Sequence, residues 1–299
     1  NSVLERLFKS IIPYHKFFRE IILIVDYRNR TKDANNLPAI TSEMKNLRVT
    51  EYSGSSKQPG MRNLALSSAN TDYIWFIDDD STVLPSIESN LYTLIQLLDQ
   101  SPEVAFVAGK IIEKRPKGIT RKIFNKPLIH PIYGPSFCFG LNPNFLKRNN
   151  YSFVQILNYS FPKVNFVQGT NMLFRTRLLK DINGFNESLS GGYASFEDSE
   201  PAIYLTSLGY LGIYTDLISV HHYKEIRVDG ISRNALNKVF ILNLVKNYYI
   251  TMVDISYPNF VLAIIYSINY SLYILLKVLF DFIRRPSLKY LFIVLELII

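Results

Sequence analysis

Cysteine is almost absent from this 299-residue chain. Cys138 stands alone, which excludes an internal disulfide, fits a reducing compartment, and reads as a small buried apolar residue. A leader-like opening is missing too: the first eight residues carry charge and no apolar core followed by small residues, so no signal peptide is expected there. The chain opens without methionine and closes inside the apolar run 290–299, and it reads as a fragment cut at both ends. Acidic residues are in deficit, 25 Asp and Glu against 33 Lys and Arg, for a net charge of +8. That balance favours anionic partners: nucleotide phosphates, nucleic acid or an acidic lipid surface, among which composition does not choose. Apolar side chains are plentiful. At 48% hydrophobic content the chain can bury the core of one large α/β domain and still carry an appendage, expected at the C-terminus.

The stretch around which the chain is organised is T-D-Y-I-W-F-I-D-D-D-S-T-V-L-P at 71–85. Residues 73–77 are a continuous aromatic and β-branched run, the pattern of a strand buried on both faces. The run ends in Asp78, Asp79 and Asp80. In open α/β sheets, ligands sit beyond the carboxyl ends of the strands, so a hard divalent ion held by Asp78 and Asp80 could bridge to a diphosphate. Strand alternation would aim Asp78 and Asp80 one way and Asp79 the other. The competing reading is a solvated acidic turn, with Asp80 or Ser81 capping the helix after Pro85.

Residues 3–20 have helical spacing on Leu4, Leu7, Phe8, Ile11 and Ile12, with Pro13 placed to split the run. Strands are expected at 21–25, ending in Asp26, and at 49–52, 104–108, 164–167, 172–174 and 210–214. Helices are expected at 61–69, 87–98, 175–180 and 201–207, the last closed by Gly209. Alternating strand and helix argues for a mostly parallel, doubly wound sheet. Residues 110–126 concentrate lysine and arginine: either a solvated loop or a surface for an anionic acceptor or lipid headgroups. His221 and His222 follow a strand end, usually a polar edge or core feature and less often a metal site.

Eight short motifs occur in one order: I-I-L-I-V-D at 21–26, G-M-R-N at 60–63, Y-I-W-F-I-D-D-D at 73–80, G-T-N-M-L-F-R at 169–175, G-F-N-E at 184–187, F-E-D at 196–198, L-G-Y at 208–210 and V-H-H at 220–222. Together they resemble the inverting nucleotide-sugar glycosyltransferases of family 2, over about residues 4–244. The resemblance implies an α/β GT-A fold, Rossmann-like with a mostly parallel central sheet and flanking helices, whose opening strand is missing here. It implies that Asp78 and Asp80 form the D-x-D motif, Asp78 near the donor's nucleotide and Asp80 on a divalent metal, Mg2+ or Mn2+. Asp26 matches the carboxylate that reads the base, Arg62 the arginine beside it, and Asp79 is taken with the donor site. Asp198, beside Glu197, matches the catalytic base, and His221 sits where many members carry a histidine that can serve the metal. After Asp26 the usual second aspartate and small residues are replaced by Tyr27, Arg28 and Asn29, and Tyr204 stands where relatives carry arginine. Inversion needs a carboxylate to take the acceptor hydroxyl's proton opposite the leaving diphosphate. Away from the resemblance, Glu197 and Asp198 read equally as acids at a helix N-terminus.

The chain thus divides into a GT-A domain at 1–232, an amphipathic helix at 233–256 beside the acceptor cleft, and a hydrophobic membrane-associated segment at 257–299. The run 260–280 is just long enough to span a bilayer, but Asn269 and Lys277 interrupt it and Arg284 and Arg285 follow. An interfacial or re-entrant helix fits as well as a span. The expected partners are a nucleotide-diphosphate sugar, a saccharide or lipid-linked acceptor and the cytoplasmic face of a membrane, with no nucleic acid. A metal-dependent phosphoesterase on Asp78–Asp80, or a non-catalytic membrane-binding module, are the alternatives.

Overall fold

The computed structural model describes residues 2–26, 39–113, 153–189 and 196–223, then 243, 246–251, 253 and single helical positions from 261 to 279. Pro13 does split the first helical run: α1 (Ser2–Ile11) gives way to a 3-10 turn over Ile12–Phe17. β1 (Ile21–Asp26) and β2 (Leu47–Tyr52) then pair in parallel, Asp26 opposite Tyr52. α2 (Lys57–Ser68), β3 (Tyr73–Ile77), β4 (Ser81–Val83), α3 (Ile87–Asp99) and β5 (Val104–Glu113) follow. After a hairpin of β6 (Phe153–Ile156) and β7 (Tyr159–Pro162) come β8 (Asn171–Arg175), α4 (Thr176–Asp181), α5 (Glu200–Ser207) and β9 (Leu211–His222).

The larger sheet has the order β3-β8-β5-β9-β4. β8 runs antiparallel to both β3 and β5, β9 is parallel to β5, and β4 is antiparallel to β9. The sheet is therefore mixed rather than mostly parallel: β3, β5 and β9 share a direction and β8 and β4 oppose it. The backbone can manage this because β8 enters from an irregular connection rather than from a crossover helix. Residues 164–167, expected as a strand, are that connection, held to the sheet by Val164 N–H donating to Gly212 O at 2.9 Å. β3 is half-buried along its length, not buried on both faces, because it lies at the end of its sheet. β9, expected to stop at 214, continues to His222 after an irregularity in which Gly109 faces Thr215 but Lys110 faces Ser219.

Periodicity and burial agree in the helices. Leu91, Leu94, Leu97 and Leu98 of α3 are buried against Val104, Val107 and Val220 of the sheet, with Leu7, Phe8 and Ile11 of α1 in the same cluster. A second cluster on Phe106, Phe174 and Phe185 takes in Leu179 and Leu205. Ser10 Oγ of α1 accepts the Val83 N–H at 3.1 Å, covering a backbone donor of the end strand β4.

Two polar side chains tie the sheet together. Buried Asn171 accepts from Trp75 Nε1 at 2.8 Å and donates to Lys110 O at 3.0 Å and Ile218 O at 3.1 Å, joining β3, β5 and the irregular part of β9. At the opposite end of β8, Arg175 donates to Val104 O at 2.7 Å, to Ser101 O at 3.0 Å and to Leu98 O, satisfying carbonyls at the end of α3. Residues 27–29, Cys138, most of 110–126 and most of 233–299 lie outside the described residues. Among the described residues no helix is long and apolar enough to cross a membrane.

Replacing Asn171 with alanine leaves the indole N–H and two carbonyls unpartnered, and the expected loss is about 3 kcal/mol of unfolding free energy, read as a lower urea midpoint at unchanged slope.

Candidate active site

β3 delivers its acids to a turn in which Ser81 N–H donates to Asp78 O at 3.2 Å. Ser81 then starts β4, and the residue before α3 is Ser86 with no side-chain cap, so neither Asp80 nor Ser81 caps that helix. Instead Asp78, Asp80 and His222 each offer a ligand atom, and the three atoms lie within 4.8 Å of one another. Pairing of Ser81 with His222 across β4 and β9 sets the histidine next to the acidic turn. Tyr223 N–H, donating to Asp80 O at 3.0 Å, fixes the same register.

His221, the histidine expected at the metal, is exposed and turned to the Tyr223 ring, 6.4 Å between centroids. Alternation along β9 explains the exchange: Val220 and His222 are buried and His221 between them faces outward. Asp79 is likewise exposed and does not belong to the three-residue cluster.

His222 Nδ1 lies 3.0 Å from Glu113 Oε1, and its Nε2 lies 3.2 Å from Asp80 Oδ1. That second contact is not aligned as a hydrogen bond, so Nε2 is a buried nitrogen with a carboxylate beside it and no hydrogen-bonded partner. A carboxylate behind a histidine whose other nitrogen faces further acids is the usual support of a metal-ligating imidazole, and hard oxygens with one imidazole suit Mn2+ or Mg2+. Burial pulls the imidazole pKa down, but the adjoining carboxylates of Asp80 and Glu113 and the charge of Asp78 outweigh it and lift it to about 9.

Arg62 of α2 reaches the other side of the cluster. Its guanidinium, 10% exposed, sits 3.8 Å from Asp78 Oδ1 and 3.3 Å from Glu197 Oε1. Asp78 also accepts from Thr170 Oγ1 at 2.9 Å. Asp198 accepts the Gly169 N–H at 2.6 Å and lies 3.0 Å from Ser199 Oγ. Gly169 gives Arg62 its room: a Cβ there would fall 2.2 Å from Arg62 Nη2 and the guanidinium would have to move. The carboxylates of Glu197 and Asp198 are turned to Arg62 and Gly169, and α5 begins later, at Glu200, so they do not act as its N-terminal charge. The D-x-D and E-D motifs thus meet through one arginine and one Gly-Thr pair.

Environment separates the two acids of the second motif. Burial, joined by the Asp198 charge, pushes Glu197 up to about 8 against the pull of Arg62. Asp198 is also raised by burial, held back by Arg62, the Gly169 N–H and Ser199. A raised pKa makes a carboxylate, once ionised, a stronger proton acceptor. Glu197 is packed behind it against Arg62.

The G-F-N-E motif also acquires a structural meaning. Asn63 Oδ1 accepts Phe185 N–H at 2.8 Å, and Asn63 Nδ2 donates to Phe185 O at 2.9 Å and Glu187 Oε1 at 3.0 Å. Gly184, at φ +74°, makes the turn, and a Cβ on it would meet Asn63. Asn63 and Arg62 are neighbours on α2, so the pin that fixes this loop also fixes the arginine. Asp26 stands at the carboxyl end of β1, outside the groups around Arg62. Sequence reasoning missed Glu113, Thr170 and His222; only the alternation of buried positions in β9 could have favoured His222 over His221.

The family model for glycosyl transferase family 2 matches residues 1–182, more than half of the chain, and the chain belongs to that family. The match ends ahead of Glu197 and Asp198. The GT-A fold is shared with solved glycosyltransferases. S. aureus TarS 1–349 is 16% identical with a TM-score of 0.51, over 86% of this chain and 62% of that one. The mannosyltransferase PcManGT of Pyrobaculum calidifontis, in complex with GDP-Man and Mn2+, is 15% identical with a TM-score of 0.53, over 90% of this chain and 66% of that one. GalNAc-T7 with UDP, GalNAc and Mn2+ is 12% identical with a TM-score of 0.51, over 82% and 45%. This chain therefore spans less than two thirds of the length of each, and such identities establish fold alone. No curated protein matches the chain in sequence.

Calorimetric titration with Mn2+ separates the two histidines: Glu113→Ala, which removes the support behind His222, is expected to weaken binding roughly 10- to 100-fold. His221→Ala is expected to leave it unchanged.

Proposed function

We propose that the chain transfers a sugar, with inversion, from a nucleotide-diphosphate sugar to a hydroxyl of a saccharide or lipid-linked acceptor. The observation that carries this reading is the single guanidinium of Arg62 close to both Asp78 and Glu197, which brings the D-x-D and E-D motifs together. Asp78, Asp80 and His222 would hold Mn2+ or Mg2+, which supplies neutralisation of the diphosphate's charge when bound. TarS with UDP-GlcNAc and PcManGT with GDP-Man and Mn2+ have the same fold, and they support a nucleotide-sugar donor.

Asp198 accepts the proton of the attacking hydroxyl while the oxygen bonds to the anomeric carbon and the diphosphate leaves from the opposite side. The Gly169 N–H and Ser199 orient its carboxylate, and Arg62 keeps Asp78 and Glu197 in register with it. Asp26 and Asp79 complete the donor side from the end of β1 and from the exposed turn. A phosphoesterase is disfavoured because the acids other than the metal cluster are committed to Arg62 and Gly169 rather than to activating water at a second cation.

The same reading assigns the work to the cytoplasmic face of a membrane, within the synthesis of a polysaccharide or related glycan. Val261, Ile264 and Ile268, spaced along helical turns and 66%, 37% and 56% exposed, fit contact with a membrane surface. A panel of UDP- and GDP-sugars scored by thermal shift with and without Mn2+ identifies the donor. With that donor, Asp198→Asn is expected to keep Mn2+-dependent binding and to lose turnover by roughly 10²- to 10⁴-fold, the usual range for a general base. Undiminished turnover in Asp198→Asn removes it from that role.

A further inference from the structure

We infer that the helical turn at 247–248 is a positioning element for Asp198, acting through Tyr248 on a strained backbone at Phe196; this rests on the glycosyl-transfer reading above. Phe196 has φ +72°, a conformation that disfavours any side chain and especially a bulky one, and it immediately precedes Glu197 and Asp198. Its carbonyl accepts from Ser199 N at 3.1 Å and Glu200 N at 2.8 Å, so the turn it makes is continuous with the start of α5. That turn sends Glu197 to Arg62 and Asp198 to the Gly169 N–H.

Strain of this kind persists only where the surroundings over-determine it. The surroundings here come from far along the chain. Tyr248, 0% exposed, meets the Phe196 ring edge-on at 5.4 Å and 66°. Asn247, the preceding residue, donates from Nδ2 to Leu189 O at 3.1 Å, and Leu189 is itself fully buried. One helical turn therefore grips both Leu189, which follows the loop pinned by Asn63, and Phe196, which leads into the base. Both flanks of the site are referred to the same helical turn.

The test uses the full chain and two readouts: amide hydrogen exchange at Gly169, whose N–H is bonded to Asp198, and release of UDP from UDP-GlcNAc or GDP from GDP-mannose with Mn2+, water serving as acceptor. Tyr248→Ala is expected to speed exchange at Gly169 and to lower kcat roughly 10- to 100-fold, the penalty of a misplaced group, while KM and Mn2+ affinity hold. Tyr248→Phe keeps the ring and should match the parent in both. Phe196→Gly deletes the ring contact and leaves the backbone free to depart from φ +72°. It should reproduce the Tyr248→Ala effect, and the double variant should add nothing, because the two rings act as one unit. Parental exchange and kcat in Tyr248→Ala, or in Phe196→Gly if the former does not fold, overturn the inference, as does a fall in Mn2+ affinity that tracks kcat. Failure of the glycosyl-transfer reading shows separately, as undiminished release in Asp198→Asn, whose result does not depend on Tyr248.

Discussion

A single nearly buried cation, the guanidinium of Arg62, is the constraint on which the site depends. It lies 3.3 Å from Glu197 and 3.8 Å from Asp78, with the charge of Asp198 also acting on it. Taking a guanidinium out of water costs several kcal/mol unless carboxylates surround it, and gathering carboxylates costs as much unless a cation lies between them. Each side of the pocket is therefore tolerable only because the other is there. Arg62 alone comes from α2, Asp78 from the turn after β3, and Glu197 from the approach to α5, so three distant parts of the chain are fixed by one charge balance.

Around that balance the fold supplies close approaches rather than bulk. Gly169 lets the connection to β8 lie against Arg62 and present its N–H to Asp198. Its neighbours continue the job in sequence: Thr170 bonds Asp78, and Asn171 ties three strands together. Asn63, beside Arg62, holds the loop at Phe185 and Glu187. Three adjacent residues thus link the core of the sheet to both acidic motifs, which is why a short G-T-N motif carries so much of the site.

Most elements were legible because the sequence declares them through periodicity: the leucine stripe of α3, the split of the first helix at Pro13, and the abrupt end of β3 in aspartates. The D-x-D and E-D residues were singled out by their match to the family's motifs, since the acids alone read also as a solvated turn and a helix N-terminus. What was hidden depended on pairing. That β8 would run antiparallel between β3 and β5, and that β9 would pass an irregular stretch and reach His222, are decided by long-range partners that local pattern does not encode. A one-residue difference in strand phase exchanged His221 for His222. Glu113 and Tyr248 were hidden for the same reason, since each acts on a residue far away in sequence.

The central claim is that both acidic motifs serve one donor sugar. The most direct measurement is an anomalous difference map from crystals grown with Mn2+ and a nucleotide-sugar found to bind. The account predicts a manganese peak among Asp78, Asp80 and His222, with the anomeric carbon between that peak and the Asp198 carboxylate. A peak at any other place, or a sugar turned away from Asp198, would contradict it.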